Sequence, residues 1–112
     1  MNANQNKPVE LLDFHSDPAC GWALVPWATF AEHHIDPAMF SNYSHADAFG
    51  AYLEEDHDLP KFLAEFENTS GRRVAFNDIR YSKISSSPVR EKVKLHAYPY
   101  EGVILDLLEG DQ

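Results

Sequence analysis

Gly50-Ala-Tyr-Leu-Glu-Glu-Asp-His-Asp-Leu-Pro-Lys-Phe-Leu-Ala-Glu-Phe-Glu-Asn-Thr-Ser-Gly71 reads as a short strand running through an acidic turn into a helix. Leu59, Phe62, Leu63 and Phe66 recur at i, i+3, i+4 and i+7, so four large apolar side chains share one helical face. Both helix ends are marked. Asp58 suits the N-cap, where a carboxylate accepts from the orphan N–H groups of the first turn. Pro60 follows inside that turn, where a missing N–H costs nothing. Gly71 stands where a left-handed C-terminal residue is wanted.

Working outward, Val9–Phe14 has partial alternation and reads as a first strand, followed by a turn at Asp17-Pro18. Residues 21–25 read as a second strand, closed by Pro26. From Pro26 to Ile35 the spacing of Trp27, Phe30, Ala31 and Ile35 predicts a helix, and Asp36-Pro37 begins a further turn through Met39-Phe40. Residues 41–49 read as an ordered polar loop. Beyond Gly71, residues 72–81 alternate imperfectly, with Val74, Phe76 and Tyr81 as inward candidates. Ser85-Ser86-Ser87-Pro88 breaks that strand. Val93, Leu95 and Ala97 then alternate with Lys92, Lys94 and His96, which predicts a half-exposed strand over 89–98. The apolar run at 102–110 is read as a strand, although periodicity at this length also fits a helical turn. The expectation is an α+β fold: one mixed or antiparallel sheet of four to five strands, with two helices packed on one face.

The chain of 112 residues suits one domain spanning 1–112, with 1–8 and 110–112 as tails. Hydrophobic residues at 44% and aromatics at 12% are too rich for a disordered chain, despite a net charge of −9. The lone Cys20 excludes an internal disulfide and fits a reducing compartment. The polar start Met1–Pro8 lacks the apolar core of a secretory signal, and no apolar run approaches membrane-spanning length. A cytoplasmic protein with no membrane partner is expected. Residues 72–94 hold seven of the nine basic side chains against Asp78 and Glu91, so that segment is +5 and the remainder −14. Such polarity bears on partners and association rates rather than on fold.

Three stretches carry a resemblance. The first is Asp17-Pro18, then Gly21-Trp22 and Val25, and a helix ending at Ile35. The second is Phe40-Ser41 with Tyr43-Ser44. The third and most distinctive is Tyr52-Leu53-Glu54-Glu55-Asp56 with Asp58, Phe62 and Leu63. Together, over roughly residues 15–70, they resemble an uncharacterised family of short proteins encoded in phages and bacterial mobile DNA. In that family a small residue, often cysteine, stands where His57 stands here, and the chain usually ends before 99–112. The resemblance implies no activity.

Four chemistries are weighed on the residues. The acidic turn 54–58 could bind a divalent cation or supply an acid/base pair, with His57, Glu55 and His45 as the metal or catalytic set. Against this, Asp58 serves as a cap, acids are favoured near a helix N-terminus, and alternation turns Glu54 and Glu55 to opposite faces. His33 and His34 are adjacent, about 100° apart on a helix, and do not chelate together. Cys20 lacks the signature of a nucleophile and reads as a small apolar residue. No catalytic residues, metal or cofactor are therefore assigned. Arg72, Arg73, Arg80, Lys83, Arg90, Lys92 and Lys94 are candidates for phosphate and nucleic-acid contact. The simpler reading is that they neutralise the acidic turn within the fold. The leading expectation is a non-enzymatic binding protein docking on a protein partner through an acidic face of Glu54, Glu55, Asp56, Glu65 and Glu67.

Overall fold

In the computed structural model, which describes residues 9–82 and 87–110, strands β1 (Val9–Ser16) and β2 (Gly21–Pro26) pair antiparallel across the Asp17-Pro18 turn. Asp17 fixes that turn by accepting from the N–H groups of Ala19 and Cys20. Helix α1 (Trp27–His33) starts directly behind Pro26 and is stopped by His34, a non-glycine residue held left-handed at φ 54°. A single helical turn, Pro37–Met39, follows under an Asp36 side-chain cap.

The region expected to be only loop contains β3 (His45–Asp47), which turns at once into β4 (Gly50–Glu54). A Cβ on Gly50 would collide with the carbonyl of Val25 in the neighbouring strand, so that close approach requires glycine. Helix α2 (Leu59–Ser70) buries Leu59, Phe62 and Phe66 and ends on Gly71 at φ 70°. It crosses over to β5 (Arg73–Arg80), which lies parallel to β1. A two-residue strand, β6 (Val93–Lys94), pairs with β3, and helix α3 (Tyr100–Gly110) ends the described chain.

The result is an α+β fold with one mixed sheet in the order β5-β1-β2-β4-β3-β6. Six strands and three helices replace the expected four to five and two. Residues 102–110 are helical because the pattern begins two residues earlier than expected. Tyr100, Val103, Ile104 and Leu107 then fall at helical spacing and pack on the core. Residues 89–98 do not form a long strand. The edge offered by β3 is three residues, so only Val93 and Lys94 pair, and short 3-10 turns flank them. Leu95 alone of the expected inward residues is fully buried, while Val93 is exposed. Of the expected tails, 1–8 and 111–112 lie outside the described residues, and Gly110 closes α3.

Alternation along the strands makes two cores. Leu12, Ala23, Val25, Ala51 and Leu53 face the helices and meet Phe30, Phe62, Phe66 and Tyr100. Trp22 and Tyr52 face the other side, where Val89 closes a smaller cluster. No helix among the described residues is long and apolar enough to cross a membrane.

Candidate functional site

The acidic turn is built mostly from its own carboxylates. Glu54, at the end of β4, is 7% exposed; it accepts from the N–H groups of Asp56 and His57 and, at 2.6 Å, from His57 Nδ1. Asp58 is fully enclosed and does not cap α2. Its own backbone is already helical, φ −103° and ψ −38°, whereas a capping residue needs extended geometry. The carboxylate instead accepts from the Ser41 N–H at 3.0 Å, the Ser41 hydroxyl at 2.8 Å and the Ser44 hydroxyl. Ser44 Oγ in turn accepts from the Glu54 N–H at 2.9 Å. Ser41 and Ser44 lie 17 and 14 residues before Asp58, so no local pattern in the sequence joins the three.

Glu54 is thus removed from the expected acidic face. Glu55 and Asp56 do point to solvent. Desolvation, with the charges of Asp56 and Glu54 beside it, pushes the Glu55 carboxyl above its ordinary value. Glu65 is half-buried and Glu67 exposed, and two residues on a helix turn the side chains about 200° apart. The five acids therefore form no single face. Glu55 and Asp56 make one patch, and Glu65 and Glu67 flank α2 on opposite sides.

The histidines are dispersed. His57 stacks on Tyr43 at 4.4 Å, whereas His45 is buried against Trp22 and donates through Nδ1 to the Lys92 carbonyl. Burial lowers the His45 pKa. His57, Glu55 and His45 are not gathered into a ligand set, and no three His, Cys, Asp or Glu among the described residues are placed to hold a metal ion. Cys20 is half-buried beside the Trp22 cluster, the environment of a small apolar residue.

Three cations of the basic segment are paired within the fold, but not with the acidic turn. Arg72 pairs with Glu10 at 2.8 Å and Lys92 with Asp47 at 2.8 Å. Arg90 grips Asp17 through Nε at 2.7 Å and Nη2 at 3.0 Å and lies over the Trp22 ring. That grip holds the Asp17 carboxyl far below the usual carboxylate range. Arg73, Arg80 and Lys94 are exposed and have no ion pair among the described residues. They are scattered. Arg73 and Arg80 sit at the two ends of β5 on alternate faces, and Lys94 occupies the opposite sheet edge. Lys83, the remaining candidate for phosphate contact, lies outside the described residues.

Helices α1 and α3 enclose an apolar groove of about 340 Å³, lined by Phe30, Ile35, Tyr100, Ile104, Leu105 and Leu108. Asp36 and Glu101 stand at its rim, and burial together with these two charges raises the Tyr100 hydroxyl pKa. A strand at 102–110 would form no such groove; its main wall exists only because α3 is helical.

Fold and surface together define a small α+β domain in which Arg72, Arg90 and Lys92 are paired internally and Glu55, Asp56 and Glu67 face outward. No protein-family model matches this chain, and neither does any curated protein or solved structure.

Proposed function

We propose that this is a non-enzymatic acidic binding protein that docks on a cationic protein partner in the cytoplasm. In keeping with the resemblance of residues 15–70, it serves as an accessory factor of mobile DNA. The observation that supports the reading is the fate of the charges. Arg72, Arg90 and Lys92 are matched by Glu10, Asp17 and Asp47, and the exposed Arg73, Arg80 and Lys94 are scattered over both sheet edges, while Glu55 and Asp56 stand together in solvent and Glu67 is exposed on α2. Residues 8–60 carry ten Asp and Glu and no Lys or Arg, and residues 95–112 carry four and none. Such a surface attracts cations over a screening length and repels nucleic-acid backbone.

The test uses the partner captured from the native host and follows association across a salt series. Reversing Glu55 and Asp56 to lysine, and separately Glu67, should slow association several-fold with the fold intact, and salt should slow the unmodified protein likewise. Unchanged on-rates in these variants, with binding lost on neutralising Arg73, Arg80 and Lys94, would assign the partner to nucleic acid instead.

A further inference from the structure

We propose that the groove between α1 and α3 is an anchoring site for a short cationic amphipathic helix of a partner protein. The inference rests on the acidic-binding reading and gives it a location and a ligand.

Helix α3 carries more apolar surface than this fold covers. At 100° per residue, Val103, Leu107, Tyr100, Ile104, Leu108 and Leu105 fall in that order around an arc of about 200°. A helix seated on one core needs a stripe only about half as wide. Val103, Ile104 and Leu107 use the first half, packing against the core. Leu108 and Leu105 continue the stripe into solvent, 36% and 55% exposed. The buried side chains of Phe30 and Ile35, from α1 and the residues after it, line the other wall, and the ring of Tyr100 on α3 itself lies at the base of the stripe. The cavity has room for large apolar side chains, and α3 runs eleven residues, or about three turns. That length matches a partner helix presenting apolar anchors at i, i+3 or i+4, and i+7.

The rim decides the charge of the occupant. Asp36 and Glu101 border the groove, and Glu32, Asp106 and Glu109 lie exposed on the two helices that form it. Neither helix nor its connections carries a lysine or arginine. A helix with leucine-like anchors and lysines or arginines along its flanks meets both demands. A second copy would bring one carboxylate rim against another, which costs like-charge repulsion. Residues 1–8 of this chain offer Met1 as the one large apolar side chain apart from Pro8, too little to fill the site.

The experiment measures fluorescence anisotropy of a labelled leucine/lysine peptide of about fourteen residues, with leucines on one helical face. Its partners in the assay are a scrambled peptide of the same composition and a leucine/glutamate helix. The full chain should bind the leucine/lysine helix at least about tenfold more tightly than the scrambled peptide at about 0.15 M salt. Leu105→Glu adds negative charge yet removes apolar wall, and as an exposed substitution it leaves the core untouched. It should weaken helix binding by about tenfold or more. Retained or tighter binding by Leu105→Glu would overturn the groove while leaving the acidic-binding reading standing. Failure of both cationic peptides to bind at low salt would overturn the reading and the groove together. A dimer of the unmodified protein that Leu105→Glu makes monomeric would assign the groove to a second copy and overturn the partner-helix proposal.

Discussion

The carboxylate of Asp58 accepts a hydrogen bond from the hydroxyl of Ser44, fourteen residues earlier, and both residues are fully enclosed. The same carboxylate holds the N–H and hydroxyl of Ser41, so one side chain ties the loop before β3 to the start of α2. Asp58→Ala strands three buried or half-buried donors at once. The expected loss is about 2–4 kcal/mol, since each unsatisfied group carries its own desolvation cost. A residue serving only as a cap would cost about 1 kcal/mol. Urea denaturation separates the two values, and a loss at the lower one would rule out the stitch.

Phe62 and Phe66 are both 0% exposed and stack on each other at 5.4 Å on the inner face of α2. Phe62→Ala and Phe66→Ala should each destabilise the protein by about 3–5 kcal/mol, the cost of a truncated buried aromatic. A loss below about 1 kcal/mol in denaturant titration would contradict the burial of this face.

The two side chains of that prediction also show what was legible in the sequence. Helical spacing of four large residues between Asp58 and Gly71 located α2 to the residue, and alternation with β-rich composition located β1, β2, β4 and β5. Local rules failed where tertiary contacts decided. The Val93-Leu95-Ala97 alternation is genuine, but pairing stops where β3 runs out. Asp58 has the side chain of a cap, yet its backbone is already helical and its carboxylate is taken by Ser41 and Ser44 from a distance. For the candidate site, composition exposed the surplus of acid but not its arrangement. Glu54 turns inward, and the groove depends on α3 meeting α1, a contact some 70 residues away in the chain.

Acid should unmask the pair of Asp17 and Arg90. The two hydrogen bonds from Arg90 depress the Asp17 carboxyl, while the unfolded chain takes up this proton at the ordinary carboxylate value near pH 4. A depressed carboxyl contributes stability that is present above the unfolded value and is lost as the pH falls through the folded value. Arg90→Gln should therefore flatten the decline in stability below about pH 4. At neutral pH it should cost about 1–2 kcal/mol, modest because the Arg90 side chain is 36% exposed. Thermal melts from pH 7 down to about pH 2 measure both effects. An acid limb in Arg90→Gln identical to that of the unmodified protein would show that the pair contributes nothing.

The segment Pro88–Lys92 should open separately from the main core. Val89 is 1% exposed and inserts between Trp22 and Tyr52, on the sheet face opposite the three helices. Its flanks are fastened by Arg90 to Asp17, by Lys92 to Asp47 and by the His45 ring to the Lys92 carbonyl. None of these contacts touches the cluster of Phe30, Phe62 and Phe66. Val89→Ala removes two methyl-sized groups from the smaller core, worth about 2 kcal/mol, and should loosen this segment first. Hydrogen exchange at the amides of Arg90 and Lys92, which are bonded to Ser87 and Val89, should accelerate. The indole N–H resonance of Trp22 should shift, because its ring lines the same cluster. That of Trp27, bonded to the Asp47 carbonyl and packed with Tyr98 and Tyr100, should hold its position. Equal acceleration across α2 and this segment would show that the two cores unfold as one.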